Sequence, residues 1–114
     1  MMGDIRLEEV PFEIDGKTYK LRCNMNVLAD VQESFGGDFS AALSGKNTLK
    51  SALTFLAAML NDYADEMGWP ERYTPRDLGR KYKRFDLPVE MVMGVVIRSI
   101  TPESGEEEPD ESGN

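Results

Sequence analysis

The chain has 114 residues and one cysteine, Cys23, a length suited to one domain with a modest core and a composition that excludes an intrachain disulfide. It contains no histidine, which removes the Ser-His and Cys-His nucleophile arrangements together with the commonest metal ligand. Its net charge is −8, yet Glu103, Glu106, Glu107, Glu108, Asp110 and Glu111 put −6 of that into residues 101–114, leaving −2 for residues 1–100. The acidity therefore belongs to the tail, and the total does not by itself exclude nucleic acid. The first residues lack the basic-then-apolar layout of a signal peptide, and the longest apolar run, Phe55 to Leu60, is far too short to span a membrane. A cytoplasmic protein is expected, with one domain over 1–100 and a disordered acidic tail over 101–114.

Residues 10 to 23 read as a β-hairpin. Asp15-Gly16 is a favoured turn pair, because a type I′ turn needs positive φ at both central positions. A two-residue loop then sets the register: Val10 opposite Leu21, Phe12 opposite Tyr19 and Ile14 opposite Lys17 on one face, with Cys23 extending it. The other face holds Glu9 opposite Arg22, Pro11 opposite Lys20 and Glu13 opposite Thr18. One side is apolar and the other polar, as a half-buried hairpin requires. Pro11 cannot donate to a ladder and marks an edge. Ile5 and Leu7 have the wrong parity for the buried face, which suggests a bulge near Glu8-Glu9 or a separate segment. Two strands are not stable alone and need a helix over them.

From Asn26 the period changes. Val27, Leu28, Val31 and Phe35 suit a short helix capped by Asn24 or Asn26 and stopped by Gly36-Gly37, and Asp38 starts a further turn or two before Gly45. The strongest helical signal runs from Asn47 to Met67. Leu49, Leu53, Leu56, Leu60, Tyr63 and Met67 recur at helical spacing with small and apolar residues between them, so the helix is expected to be buried on more than one side. Asn47 or Thr48 is the expected cap and Gly68 the expected left-handed stop. Thr74-Pro75 is a helix start, carrying Leu78, Tyr82 and Phe85 on one side. Pro88 opens a last helix from Val89 to about Ile100. The expected fold is α+β, an N-terminal antiparallel hairpin packed on four or five helices.

Groups that could do chemistry are few, and no cofactor, metal site or enzyme activity is expected. Cys23 falls on the apolar face of the hairpin and reads as an inert thiol. Ser44-Gly45-Lys46-Asn47-Thr48 only superficially resembles a phosphate loop, since Asn47 and Ser40 stand at key positions of that motif. Asp62, Asp65 and Glu66 on one helical stretch read as a solvated face.

Two features point to binding. Arg76, Arg80 and Arg84 are four apart and would line one helical face. Such a stripe is first an ordinary solvated face, then a site for an acidic protein, and last a site for nucleic acid. In the final helix Val89, Met91, Val92, Met93, Val95, Val96 and Ile97 leave little of the circumference polar, so that helix must be central or must meet another chain, with Val92, Met93, Val96 and Ile97 as its contact residues. These four and the three arginines are the candidate contact residues, for a homo-oligomer or for a partner. Seven methionines, among them Met59, Met67, Met91 and Met93 in helices, fit either a core or an adaptable surface. Trp69 reads as core packing ahead of a contact anchor.

The order of segments resembles a known family. Phe12, Ile14, Asp15-Gly16, Tyr19, Leu21-Arg22, Asn26, Leu28, Glu33 and Gly36 are similar to the opening of small tail assembly chaperones of long-tailed phages, prophages and gene transfer agents. The long alanine- and leucine-rich helix, the Thr74-Pro75-Arg76-Asp77-Leu78-Gly79 start, the closing helix and the acidic tail follow the same layout. The resemblance implies a non-enzymatic factor that coats the tape measure protein before the tail tube forms, and is absent from the virion. A structural tail or connector component and a small nucleic-acid-binding regulator using the basic helix are the alternatives.

Overall fold

Asp15 and Gly16 take φ of 53° and 79°, so both central turn residues are left-handed, as a type I′ hairpin demands. The computed structural model describes residues 9–83 and 86–101. Strands β1 (Val10–Ile14) and β2 (Lys17–Leu21) pair antiparallel in the expected register, Val10 with Leu21, Phe12 with Tyr19 and Ile14 with Lys17. Ile14, Tyr19, Leu21 and Cys23 are buried, while Pro11, Glu13, Thr18 and Lys20 face outward. The expected bulge near Ile5 and Leu7 lies outside the described residues, as does the tail beyond Thr101.

Helix α1 (Met25–Ser34) starts where Asn24 accepts a hydrogen bond from the Val27 amide at 3.0 Å. Gly36 and Gly37, both at positive φ, end it. A single turn, α2 (Phe39–Ala42), and a 3₁₀ turn at Gly45–Asn47 lead into α3 (Thr48–Met67). Neither expected cap works as one. Asn47 donates backwards to the Ala41 carbonyl at 3.0 Å, and the Thr48 hydroxyl donates to Gly45 O at 2.9 Å. Asn47 thus ties the 3₁₀ turn back to α2 and Thr48 ties it to α3, because α3 is reached from a helical turn rather than from extended chain. The other end follows the expected stop. Gly68 sits at φ 76°, its amide donating to Asp65 O and the Trp69 amide to Ala64 O at 2.8 Å.

Helix α3 is the axis of the molecule. Every residue from Thr54 to Leu60 is buried, and β2, α1, α2, α4 (Pro75–Lys81) and α5 (Val89–Ile100) all pack against it. The two outermost members of the expected stripe, Leu49 and Met67, are instead exposed, because the covering elements do not reach its tips. No helix among the described residues is long and apolar enough to cross a membrane.

Helix α4 is shorter than its sequence pattern implies. It ends at Lys81, and Tyr82 is extended at φ −109°, ψ 138°. Leu87 is buried and stands before Pro88, which disfavours the helical region for it. Helix α4 carries Arg76 and Arg80 and ends before position 84. Arg84 and Phe85 lie outside the described residues.

The hairpin turn is fastened to the helical layer. The Tyr73 hydroxyl donates to Asp15 Oδ2 at 2.5 Å, and Lys81 Nζ lies 2.7 Å from Asp15 Oδ1. The Lys81 hydrogen bond, then the Tyr73 one, holds the Asp15 carboxyl below its ordinary value of 3.8. With a lowered folded-state pKa, the stabilisation is complete above the ordinary value and fades as pH falls through the folded one. Asp15→Asn keeps a side chain that tolerates left-handed φ but removes the charge; Asp15→Ala adds backbone strain of about 1 kcal/mol. Chemical denaturation should rank wild type above Asp15→Asn above Asp15→Ala at neutral pH, with the gap between wild type and Asp15→Asn closing below about pH 4.

Candidate protein-binding surface

Thr74 is the hinge on which the main surface feature depends. Its hydroxyl accepts from the Asp77 amide and its own amide donates to the Asp77 carboxylate, each at 3.0 Å, closing a capping box behind Pro75. Just before it, Asn61 on α3 makes a reciprocal pair with the Tyr73 backbone, accepting from its amide and donating to its carbonyl, both at 2.8 Å. These bonds set α4 beside α3 and leave a groove of about 500 Å³ between them. Lys50 and Leu53 from α3 and Pro75, Arg76, Gly79 and Arg80 from α4 line it. A Cβ at Gly79 would sit 3.9 Å from Leu53 Cδ1, so the glycine leaves that leucine open to the groove without a steric need for it. One turn earlier on the same side of α3, Leu49 is 62% exposed and extends the apolar strip.

Cations stand on both walls. Arg76 makes no hydrogen bond or ion pair among the described residues. Arg80 reaches Asp77 only at 3.5 Å and is 70% exposed, and Lys50 lies 4.7 Å over the Phe35 ring. Two of the three expected arginines thus meet in the groove, joined by Lys50 and Leu53, which the sequence reading did not single out. The signal for them was the exposed start of the α3 stripe facing an arginine-rich helix.

The four candidates on α5 divide. Val92 and Val96 are fully buried against the chain's own core, with Val95. They are unavailable to a partner in the folded chain. A helix apolar nearly all round had concealed which side faces α3. Met93 is partly buried, and Ile97, at 47% exposure, is the one clearly presented to solvent.

The acidic stretch of α3 is paired within the chain. Arg22 pairs with Glu66, lies 3.6 Å from Asp62 and 3.7 Å from Glu9, and stacks 5.6 Å from the Tyr63 ring. Arg72 takes Asp65 at 3.3 Å. The acidic stretch of α3 is therefore a clamp on the base of the hairpin, and no acidic or thiol group among the described residues is arranged to hold a metal ion. Trp69 packs edge-on against Tyr19 at 5.2 Å with Lys17 4.6 Å above its ring, so it belongs to an aromatic cluster. Ser44-Gly45-Lys46 forms part of the 3₁₀ turn, beside no parallel sheet. Burial raises the Cys23 thiol to about 12.

The fold is α+β, and its open apolar features among the described residues are the α3–α4 groove with Leu49 beside it and the exposed Met25, Leu43, Met67 and Ile97. Comparison with protein-family models, with curated proteins and with solved structures returns no match.

Two measurements check these placements. Val96→Ala removes two buried methyl equivalents and should cost about 2 kcal/mol in denaturant unfolding, whereas Ile97→Ala should stay within about 1 kcal/mol. Equal costs would contradict the orientation of α5. A disulfide reagent should leave Cys23 unmodified in the native protein and modify it fully in denaturant; rapid native reaction would contradict its burial.

Proposed function

We propose that this protein is a non-enzymatic assembly factor that binds and shields apolar helical segments of a partner, the tape measure protein of a phage or prophage tail. The groove between α3 and α4 is the observation that supports this reading most. Leu53, Pro75 and the neighbouring Leu49 offer apolar surface that the chain itself leaves uncovered, in a trough open along its length. Apolar surface bordered by polar groups in a groove between helices is a geometry that an amphipathic partner helix fits. The likeness of residues 12–36 to tail assembly chaperones supplies the identity of the partner, and the inert Cys23 and internally paired carboxylates fit a binding role.

The reading is tested by co-expression with the tape measure protein encoded beside it. The expected result is a tape measure that is soluble only in the presence of this chain and co-purifies with it. A tape measure equally soluble alone, with no complex, would sink the proposal. Mass spectrometry of purified particles separates the chaperone from a structural tail or connector component, which would remain in the virion. The cations of the groove favour one second reading, a nucleic-acid regulator, and the next experiment includes its test.

A further inference from the structure

Accepting that the groove receives a protein helix, we infer that its occupant is an amphipathic helix with acidic residues on both flanks of its apolar stripe. The floor and the walls make separate demands. Leu53, Pro75 and the open side of Gly79 form a floor that only apolar side chains can fill without loss of hydration. Above it, Lys50 stands on the α3 wall and Arg76 and Arg80 stand one turn apart on the α4 wall. A helix laid apolar-side down therefore meets two guanidinium groups on one flank and, on the other, the Lys50 side chain, whose ammonium also lies 4.7 Å over the Phe35 ring. Arg76 has no partner among the described residues, and Arg80 holds Asp77 only loosely, so both guanidinium groups are available to carboxylates.

The size of the site limits the segment. Helix α4 has seven residues, which at about 1.5 Å each makes a wall near 10 Å long. That accommodates roughly two helical turns, hence two or three apolar side chains at three- and four-residue steps with glutamates or aspartates beside them. The next seam along the surface differs in sign. Beyond Pro75 the hollow between α1 and α3 is edged by Asp30 and Glu33, and it repels the same ligand. An acidic helix is thus directed to one seam and turned away from its neighbour.

The chain's own tail meets only half of this requirement. Residues 102–114 supply six carboxylates but no leucine, isoleucine, valine, methionine or aromatic side chain, so they can neutralise the walls without covering the floor. Nucleic acid likewise answers the cations and leaves Leu53 and Leu49 wet.

Binding of fluorescent probes to the full chain tests the assignment. The probes are a short helical peptide with leucines four apart flanked by glutamates, the same peptide with lysines for the glutamates, a peptide of residues 102–114, and a DNA duplex. At physiological salt the glutamate peptide should bind best. The pair Arg76→Glu and Arg80→Glu should weaken it by about tenfold and strengthen the lysine peptide. Both arginines are exposed, and circular dichroism checks that the variant is folded; Lys50→Glu, on the opposite wall, repeats the test independently. The assignment is overturned if the glutamate and lysine peptides bind alike, if the tail peptide or the duplex binds more tightly, or if charge reversal changes nothing. A tape measure complex that survives charge reversal unchanged would remove this assignment while leaving the assembly role intact. Peptide binding without any tape measure complex would do the opposite.

Discussion

Helix α3 has no polar side through its middle, and that constraint organises the rest of the chain. At about 100° per residue, the buried run from Thr54 to Leu60 sweeps the whole circumference of the helix. A helix of this kind cannot rest on one sheet or one neighbour. It must be wrapped, and the wrapping is divided among β2, α1, α2, α4 and α5. None of these is self-sufficient: a two-stranded hairpin is marginal alone, and a helix of seven residues is below the length at which isolated helices persist. Each is held because it completes the burial of α3. Helix α3 itself can then offer surface only at its tips or along seams between covering elements, which is where Leu49, Met67 and the α3–α4 groove are found.

Polar contacts decide where the covering elements stop sliding. Apolar packing on a smooth helix is forgiving along its axis, whereas a hydrogen bond has one register. The hairpin is pinned at both ends, by Asp15 to Tyr73 and Lys81 at the turn, and by Arg22 to Asp62 and Glu66 at the base. Tyr73 is also held by Asn61, so the segment before α4 is fixed from two sides. Its buried hydroxyl has a raised pKa, first from desolvation and then from its bond to Asp15, so it stays a donor across the physiological range. The width of the groove follows from this network, although none of these residues lines it.

The features legible in the sequence are those set by neighbours along the chain. The hairpin register follows from Asp15-Gly16 and side-chain parity; the α4 start follows from Thr74, Pro75 and Asp77; the α3 stop follows from Gly68. What escaped depends on contacts far apart in sequence. Asn61 and Tyr73 meet across twelve residues, and Asp15 and Lys81 across 66. Helix α4 ends at Lys81, short of the length that the arginine spacing implied. On α5, Val92 and Val96 could not be told from Ile97 by hydrophobicity, because only the docking direction separates them. For the same reason Arg76 and Arg80 were visible as a pair, while the wall opposite them, Lys50 and Leu53, was not.

The electrostatics of the groove have a range as well as a sign. The chain as a whole carries −8, so at long distance it repels an acidic ligand. At physiological ionic strength that repulsion is screened beyond about 8 Å, and the cations of Lys50, Arg76 and Arg80 dominate only within that distance. Charge at such a rim contributes orientation and partner choice more than affinity, since exposed pairs are worth little individually. The apolar floor must then supply most of the attraction, and the walls select among helices that already have a stripe to offer. A groove built this way suits contacts that are individually weak and readily reversed, as the proposed shielding role requires.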